Sequence, residues 1–173
     1  QPEDGIRYRS PSRGLGYVYK RQYYDFPKKG IAFKDILGIM QEPEVFRELI
    51  FEMSSNHVIK NSEAIISIEA RGFIFGSAIS LQACKPMIVA RKPEKLPGEL
   101  IQENYNLEYG KSSLSIQKEA IKKFNSFAIV DDLLATGGTI NCVDNLIKKS
   151  GKEISGCIAV VELLDLKGRN KLK

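Results

Sequence analysis

Between residues 43 and 163 the apolar pattern switches repeatedly between the three- and four-residue spacing of a helix and short continuous runs of buried strand, and this alternation is what most restricts the fold. Val45, Phe46, Leu49, Ile50 and Met53 recur at helical spacing behind Pro43, a residue suited to a first helical turn. Residues 64–68 read as a buried strand, 72–83 as a second helix and 86–90 as a short apolar strand. The Pro-, Gly- and charge-rich stretch 91–110 is predicted to be a long loop. Residues 113–117 read as a strand, and residues 127–130 as an apolar strand running into Asp131 and Asp132. A helix over 139–150 is predicted to end at Gly151 in a left-handed cap, before a last strand over 154–163. The expectation is an α/β fold, with a central, mostly parallel sheet flanked by helices on both faces and ligands at the carboxyl ends of its strands.

A length of 173 residues suits one domain, and 43% hydrophobic with 27% charged residues is the balance of a globular chain. No apolar run is long enough to span a bilayer and no secretory signal pattern opens the chain, so a cytoplasmic protein with no membrane partner is expected. The formal charge of +5 does not point to nucleic acid: five basic and two acidic residues fall in the first 24, leaving 21 basic against 19 acidic. No basic stripe interleaved with aromatics appears. Cys84, Cys142 and Cys157 are odd in number and widely spaced, so they read as small core residues rather than a disulfide framework or zinc site. His57 is the only histidine, which leaves no histidine pair for a metal and no triad. Residues 1–22, punctuated by Pro11, Gly14 and Gly16, are expected to be a disordered or non-native leader with no function.

Chemistry is concentrated in residues 128–139, AIVDDLLATGGT: a buried strand, two carboxylates, then a small-residue loop opening a helix. Ala135, Thr136, Gly137, Gly138 and Thr139 leave backbone N–H groups free to point at an anion, and the helix start favours negative charge, so the loop suits a phosphate. Asp131 and Asp132 are acceptors when ionised and suit a ribose diol, where their charge stabilises a cationic sugar. The bland alternative is a glycine-rich turn with capping acids. A Walker loop and a G-x-G-x-x-G dinucleotide fingerprint are both missing, which removes support from nucleotide hydrolysis and hydride transfer.

This segment resembles the phosphoribosyl pyrophosphate motif of type I phosphoribosyltransferases, in the wording of the adenine-using branch. DFPKKGIAFKDI, EARGFIFG, ARKPEKLPGE, YNLEYG and LLDLKGRNKL are similar to that family in the same order. The likeness runs from about residue 23 to the end and implies a phosphoribosyltransferase domain over 23–173, truncated at its C-terminus, with a flexible lid loop. It implies an enzyme that transfers the phosphoribosyl group of phosphoribosyl pyrophosphate to adenine, giving AMP and pyrophosphate in purine salvage. Magnesium would be the cofactor, held mainly through substrate with no direct protein ligand, and the chain would act as a homodimer.

Position by position, the resemblance implies that Phe33 stacks on adenine while the backbones of Ala32 and Lys34 read its polar edge; taken alone, Phe33 would be a core residue. Arg71, Arg91 and Lys95 would hold the pyrophosphate, with the peptide between Glu69 and Ala70 cis. Glu108 would face the purine N7 as proton donor or acceptor and Tyr109 would pack beside the sugar, both on a lid over residues 92–109 that excludes water. Asp131, Asp132 and Glu108 are thus the expected catalytic residues. Glu94 stands where the family commonly has glycine, a departure that bears on the lid. Two other readings stand beside this one: a xanthine-type, oxo-purine phosphoribosyltransferase, and a nucleotide-sensing regulator that uses the same pocket without catalysis.

Overall fold

In the computed structural model, residues 22–25, 29, 32–107 and 110–172 are described, with the backbone alone at 22, 32–34, 106, 107, 110 and 111. Residues 1–21 of the expected leader therefore lie outside the described residues, while Gln22 opens the first strand. Four strands, β3 (Ala64–Ile68), β4 (Met87–Ala90), β7 (Ser126–Leu134) and β8 (Glu153–Glu162), form one sheet in the order β4-β3-β7-β8. All three pairings are parallel. Two small antiparallel pairs stand apart from it: β1 (Gln22–Tyr24) with β2 (Ala32–Lys34), and β5 (Leu100–Leu107) with β6 (Gly110–Gln117).

The strands are apolar on both faces because both faces are covered, which is why they read as continuous runs. Successive side chains of a strand point to opposite sides. Ala64, Ile66, Ile68, Phe127 and Ile129 enter one core, with Ile140, Val143, Leu146 and Ile147 of α5 (Gly138–Lys149) and Leu114 and Ile116 of β6. Ile65, Ala128 and Val130 enter the other, with Leu49, Ile50 and Met53 of α1 (Pro43–Ser55), Ile59 of α2 (His57–Lys60) and Phe75 and Ile79 of α3 (Gly72–Ala83). Phe46 meets Phe75 edge to face at 6.0 Å between ring centres, joining α1 to α3. Each fully buried Ile or Phe here contributes about 1.5–3 kcal/mol. A short helix, α4 (Lys118–Ile121), links β6 to β7.

Three expectations are corrected. The predicted loop 91–110 becomes strand from Leu100 onward: Ile101, Glu103 and Tyr105 of β5 are half-buried and alternate with exposed Gln102 and Asn104. Ile101 and Tyr105 pack on the α5-side core, while Lys149 of α5 bonds the Glu103 carboxylate. Strand β7 does not stop at Val130 but continues through both aspartates to Leu134, because Asp131, Leu133 and Leu134 keep pairing with β8. Cys84 is exposed rather than in the core, as the left-handed residue that closes α3 at φ +50°, whereas burial pushes the thiols of Cys142 and Cys157 up to about 11 and about 12. Gly151 follows α5 at φ +70°, as expected of a left-handed cap.

Candidate active site

The loops after β3, β4 and β7 converge at the carboxyl edge of the sheet. Asp131 and Asp132 lie just before that edge, 8% and 6% exposed. The Asp132 amide donates to Asp131 Oδ1 at 2.9 Å, and Arg71 Nε donates to Asp132 Oδ2. Arg71 immediately precedes α3, whose first residue, Gly72, lies so close that a Cβ there would come within 2.9 Å of Asp131 Oδ1. Burial, and next the neighbouring Asp132 charge, push the Asp131 carboxyl up to about 8; the Arg71 charge only partly offsets them. Asp131 thus holds a proton near neutrality while Arg71 is paired to its neighbour.

Glu69 organises the adjoining rim. Its side chain, 9% exposed, accepts from Arg91 Nε at 3.2 Å, from the Lys92 amide at 3.3 Å and from Lys95 Nζ. Burial opposes its charge, yet the bonds from Lys95, the Lys92 amide and Arg91 outweigh burial and hold the carboxyl below its usual value. The Arg91 backbone is fixed to Ser115 of β6 by two reciprocal bonds of 3.0 and 2.7 Å, and its guanidinium lies 5.7 Å from the Phe73 ring centre. The peptide between Glu69 and Ala70 is cis, as expected.

Ala135, Thr136 and Gly137 join β7 to α5. Gly137 adopts φ +79°, and no side chain caps the helix, so the amides of its first turn face the loop without a side-chain acceptor. No acid sits in that first turn. Gly138 and Thr139 open the helix itself, half-buried like Ala135 and Thr136.

The structure therefore gathers Arg71, Arg91, Lys95, Asp131, Asp132 and residues 135–139 at one edge, where each of the three cations is already engaged by a carboxylate. Residues 32–34 form β2, with Phe33 opposite Tyr23, and the Phe33 side chain lies outside what is described. Glu108 and Tyr109 also lie outside the described residues, at the end where Leu107 pairs with Gly110. The sequence reading did not single out Glu69 as the residue that collects two cations. Its position just after a buried strand, beside the expected arginine, was the available signal.

Cations and an uncapped helix start, with acids between them, complement a ligand that is anionic at its ends and hydroxylated in its middle. The site thus defines an α/β protein suited to a phosphorylated sugar. The sequence profile of the phosphoribosyl transferase domain matches residues 34–172. A curated protein of Prochlorococcus marinus (strain MIT 9515), named adenine phosphoribosyltransferase, is 68% identical over 151 residues, covering 87% of this chain and 88% of the relative. Among solved structures, the adenine phosphoribosyltransferase of Saccharomyces cerevisiae, complexed with an imino-altritol bisphosphate and adenine, superposes with a TM-score of 0.83 at 34% identity, covering 92% and 94% of the two chains. That of Thermoanaerobacter pseudethanolicus gives 0.82 at 37% identity with the same coverage. The chain belongs to the phosphoribosyltransferase family, and within it to the adenine phosphoribosyltransferases.

Proposed function

We propose that this chain transfers the phosphoribosyl group of phosphoribosyl pyrophosphate to adenine, yielding AMP and pyrophosphate. The observation that carries the reading is the buried Asp131–Asp132 pair on β7, set between Arg71 and the Gly137 helix start. In this reading the amides of residues 135–139 hold the 5′-phosphate, and the two aspartates take the ribose hydroxyls. Arg71, Arg91 and Lys95 exchange their carboxylate partners for the diphosphate. As adenine N9 bonds to C1′ and the C1′–O bond to diphosphate breaks, the Asp132 carboxylate stabilises the cationic sugar, Asp131 stays protonated beside it, and Glu108 accepts the proton leaving N7. Phe33 stacks on the base, the Ala32 and Lys34 backbones read its edge, and Tyr109 packs beside the sugar. The β5–β6 hairpin carries Glu108 and Tyr109 as a lid that excludes water from the reacting centre.

Hard oxygen donors suit magnesium, and Asp131 and Asp132 are of that kind. Among the described residues no group of three or more His, Cys, Asp or Glu side chains gathers to hold a metal; in this reading magnesium enters with the diphosphate and is held mainly through it. When bound, magnesium neutralises charge on the leaving diphosphate.

No helix among the described residues is long and apolar enough to cross a membrane. The working form is a cytoplasmic homodimer, in which the exposed Phe51 and Leu81 of α1 and α3 are available to a second copy. The test is product formation from phosphoribosyl pyrophosphate and magnesium with adenine, hypoxanthine, guanine and xanthine offered separately. AMP from adenine alone is the expected result. Preference for an oxo-purine overturns the base assignment, and ligand binding without turnover favours a sensor.

A further inference from the structure

The segment LLDLKGRNKL does not enter the reaction described above, yet it lies directly against the loop that carries Gly137. Leu163 donates its amide to the Leu134 carbonyl at 2.9 Å, tying the end of β8 to the last residue of β7. Lys167 then turns the chain at φ +49°, so that Gly168 reaches the loop. A Cβ on Gly168 would overlap the Ala135 carbonyl oxygen and approach the Gly137 amide nitrogen to 3.0 Å. Conversely, a Cβ on Gly137 would approach the Gly168 carbonyl oxygen to 2.8 Å. Two backbones are therefore in contact with no room for a side chain on either. The segment is held in place from three sides. Arg169 makes a forked bond to Glu162 at the end of β8, Asn141 of α5 donates Nδ2 to the Lys171 carbonyl at 2.9 Å, and Leu172 packs on the α5-side core.

We infer that Gly168 is a positioning residue for phosphate recognition: residues 163–172 act as a rigid backing that fixes the amides of residues 135–139 toward the 5′-phosphate of the sugar substrate. The inference rests on the reading of that loop as the 5′-phosphate cradle. A cradle made of backbone amides has no side chain to hold its own geometry, so its precision must come from whatever abuts it. Here the abutting surface is the Gly168 peptide. The diphosphate cations Arg71, Arg91 and Lys95 are fixed independently, by Asp132 and Glu69, and owe nothing to this segment.

The experiment is titration calorimetry of the whole chain in magnesium buffer, with ribose 5-phosphate and inorganic pyrophosphate as separate probes. Gly168→Ala is expected to weaken ribose 5-phosphate binding tenfold or more and to change pyrophosphate binding less than twofold. Gly151→Ala, at a left-handed glycine away from the loop with nothing within 4 Å of its Cβ, controls for a general loss of stability and is expected to change neither. Asn141→Ala leaves every backbone atom in place and removes only the bond to Lys171; it is expected to weaken ribose 5-phosphate threefold or more, and it decides the matter if Gly168→Ala does not fold. Unchanged ribose 5-phosphate binding in Gly168→Ala and Asn141→Ala, or equal weakening of both probes, overturns the inference. A wild-type chain that binds pyrophosphate but no ribose 5-phosphate overturns the loop assignment itself, and the inference with it.

Discussion

Replacing Asp131 by asparagine is expected to make the chain more stable at neutral pH while removing most of its activity. The cause is the raised carboxyl: its folded pKa of about 8 lies above the ordinary value of 3.8, so between those limits the native chain holds a proton that the unfolded chain has released. The sign follows. Stability from this group is complete below about pH 4 and is lost progressively as pH rises toward 8. Each unit in that window costs about 1.4 kcal/mol, so the wild type should lose about 2–3 kcal/mol between pH 5 and pH 7 that Asp131→Asn does not lose. Asparagine keeps the acceptor for the Asp132 amide and removes the charge that Asp132 and burial disfavour. For a chain of this size the gap corresponds to a melting-temperature difference of about 4–12 °C that grows with pH. Unfolding of both proteins would be followed at half-unit steps from pH 5 to 8. Parallel curves for the two, or a gap that shrinks as pH rises, would refute the argument that Asp131 is buried against its own charge.

Asp132→Asn is expected to lower transfer by a hundredfold or more with the fold intact by circular dichroism; near-normal turnover would sink the assignment of the pair to the sugar. Glu69→Gln leaves Arg91 and Lys95 without their shared anion and should raise the KM for phosphoribosyl pyrophosphate threefold or more, with the KM for adenine unchanged. Because both cations are partly exposed, its stability cost should be only about 1 kcal/mol, a fall of a few degrees in melting temperature. Chelation of magnesium is expected to stop transfer without shifting the melting temperature of the substrate-free chain; a large shift would mean that the protein holds the ion by itself.

The four-stranded sheet was legible because its strands are buried on both faces. A run such as Ala64, Ile65, Ile66 and Ile68 puts apolar side chains on both faces, with Ser67 the single polar residue among them, and Pro43, Gly72 and Gly151 mark helix ends. Strand β5 was not legible for the opposite reason. Gln102, Asn104 and Asn106 are poor strand formers on their own, and what holds them is pairing with β6 and the packing of Ile101 and Tyr105 on a helix formed forty residues later. The two aspartates were found by type and spacing, but their place inside β7 depends on partners in β8 that no local pattern displays. Glu69 and Gly168 escaped notice similarly, since a carboxylate that collects distant cations and a glycine pressed on a distant backbone look ordinary in their own neighbourhoods.

The pairing of each cation explains how a site built for a polyanion can stay ordered without one. Three uncompensated positive charges at the carboxyl edge would repel one another and the N-terminal end of α5, and each would need water or a carboxylate. Glu69 takes Arg91 and Lys95, and Asp132 takes Arg71, so the rim is already close to its working arrangement. On the proposed reading, a diphosphate that enters need not gather the cations; it has only to compete with carboxylates for groups held in place. That competition has a consequence at Asp131. Once Arg71 turns toward the diphosphate, Asp132 is left with less positive charge beside it, and the ribose hydroxyls must satisfy a pair of which one member is still protonated. On that reading sugar and diphosphate binding are coupled through Arg71, because the guanidinium that meets the diphosphate is the one that pairs with Asp132.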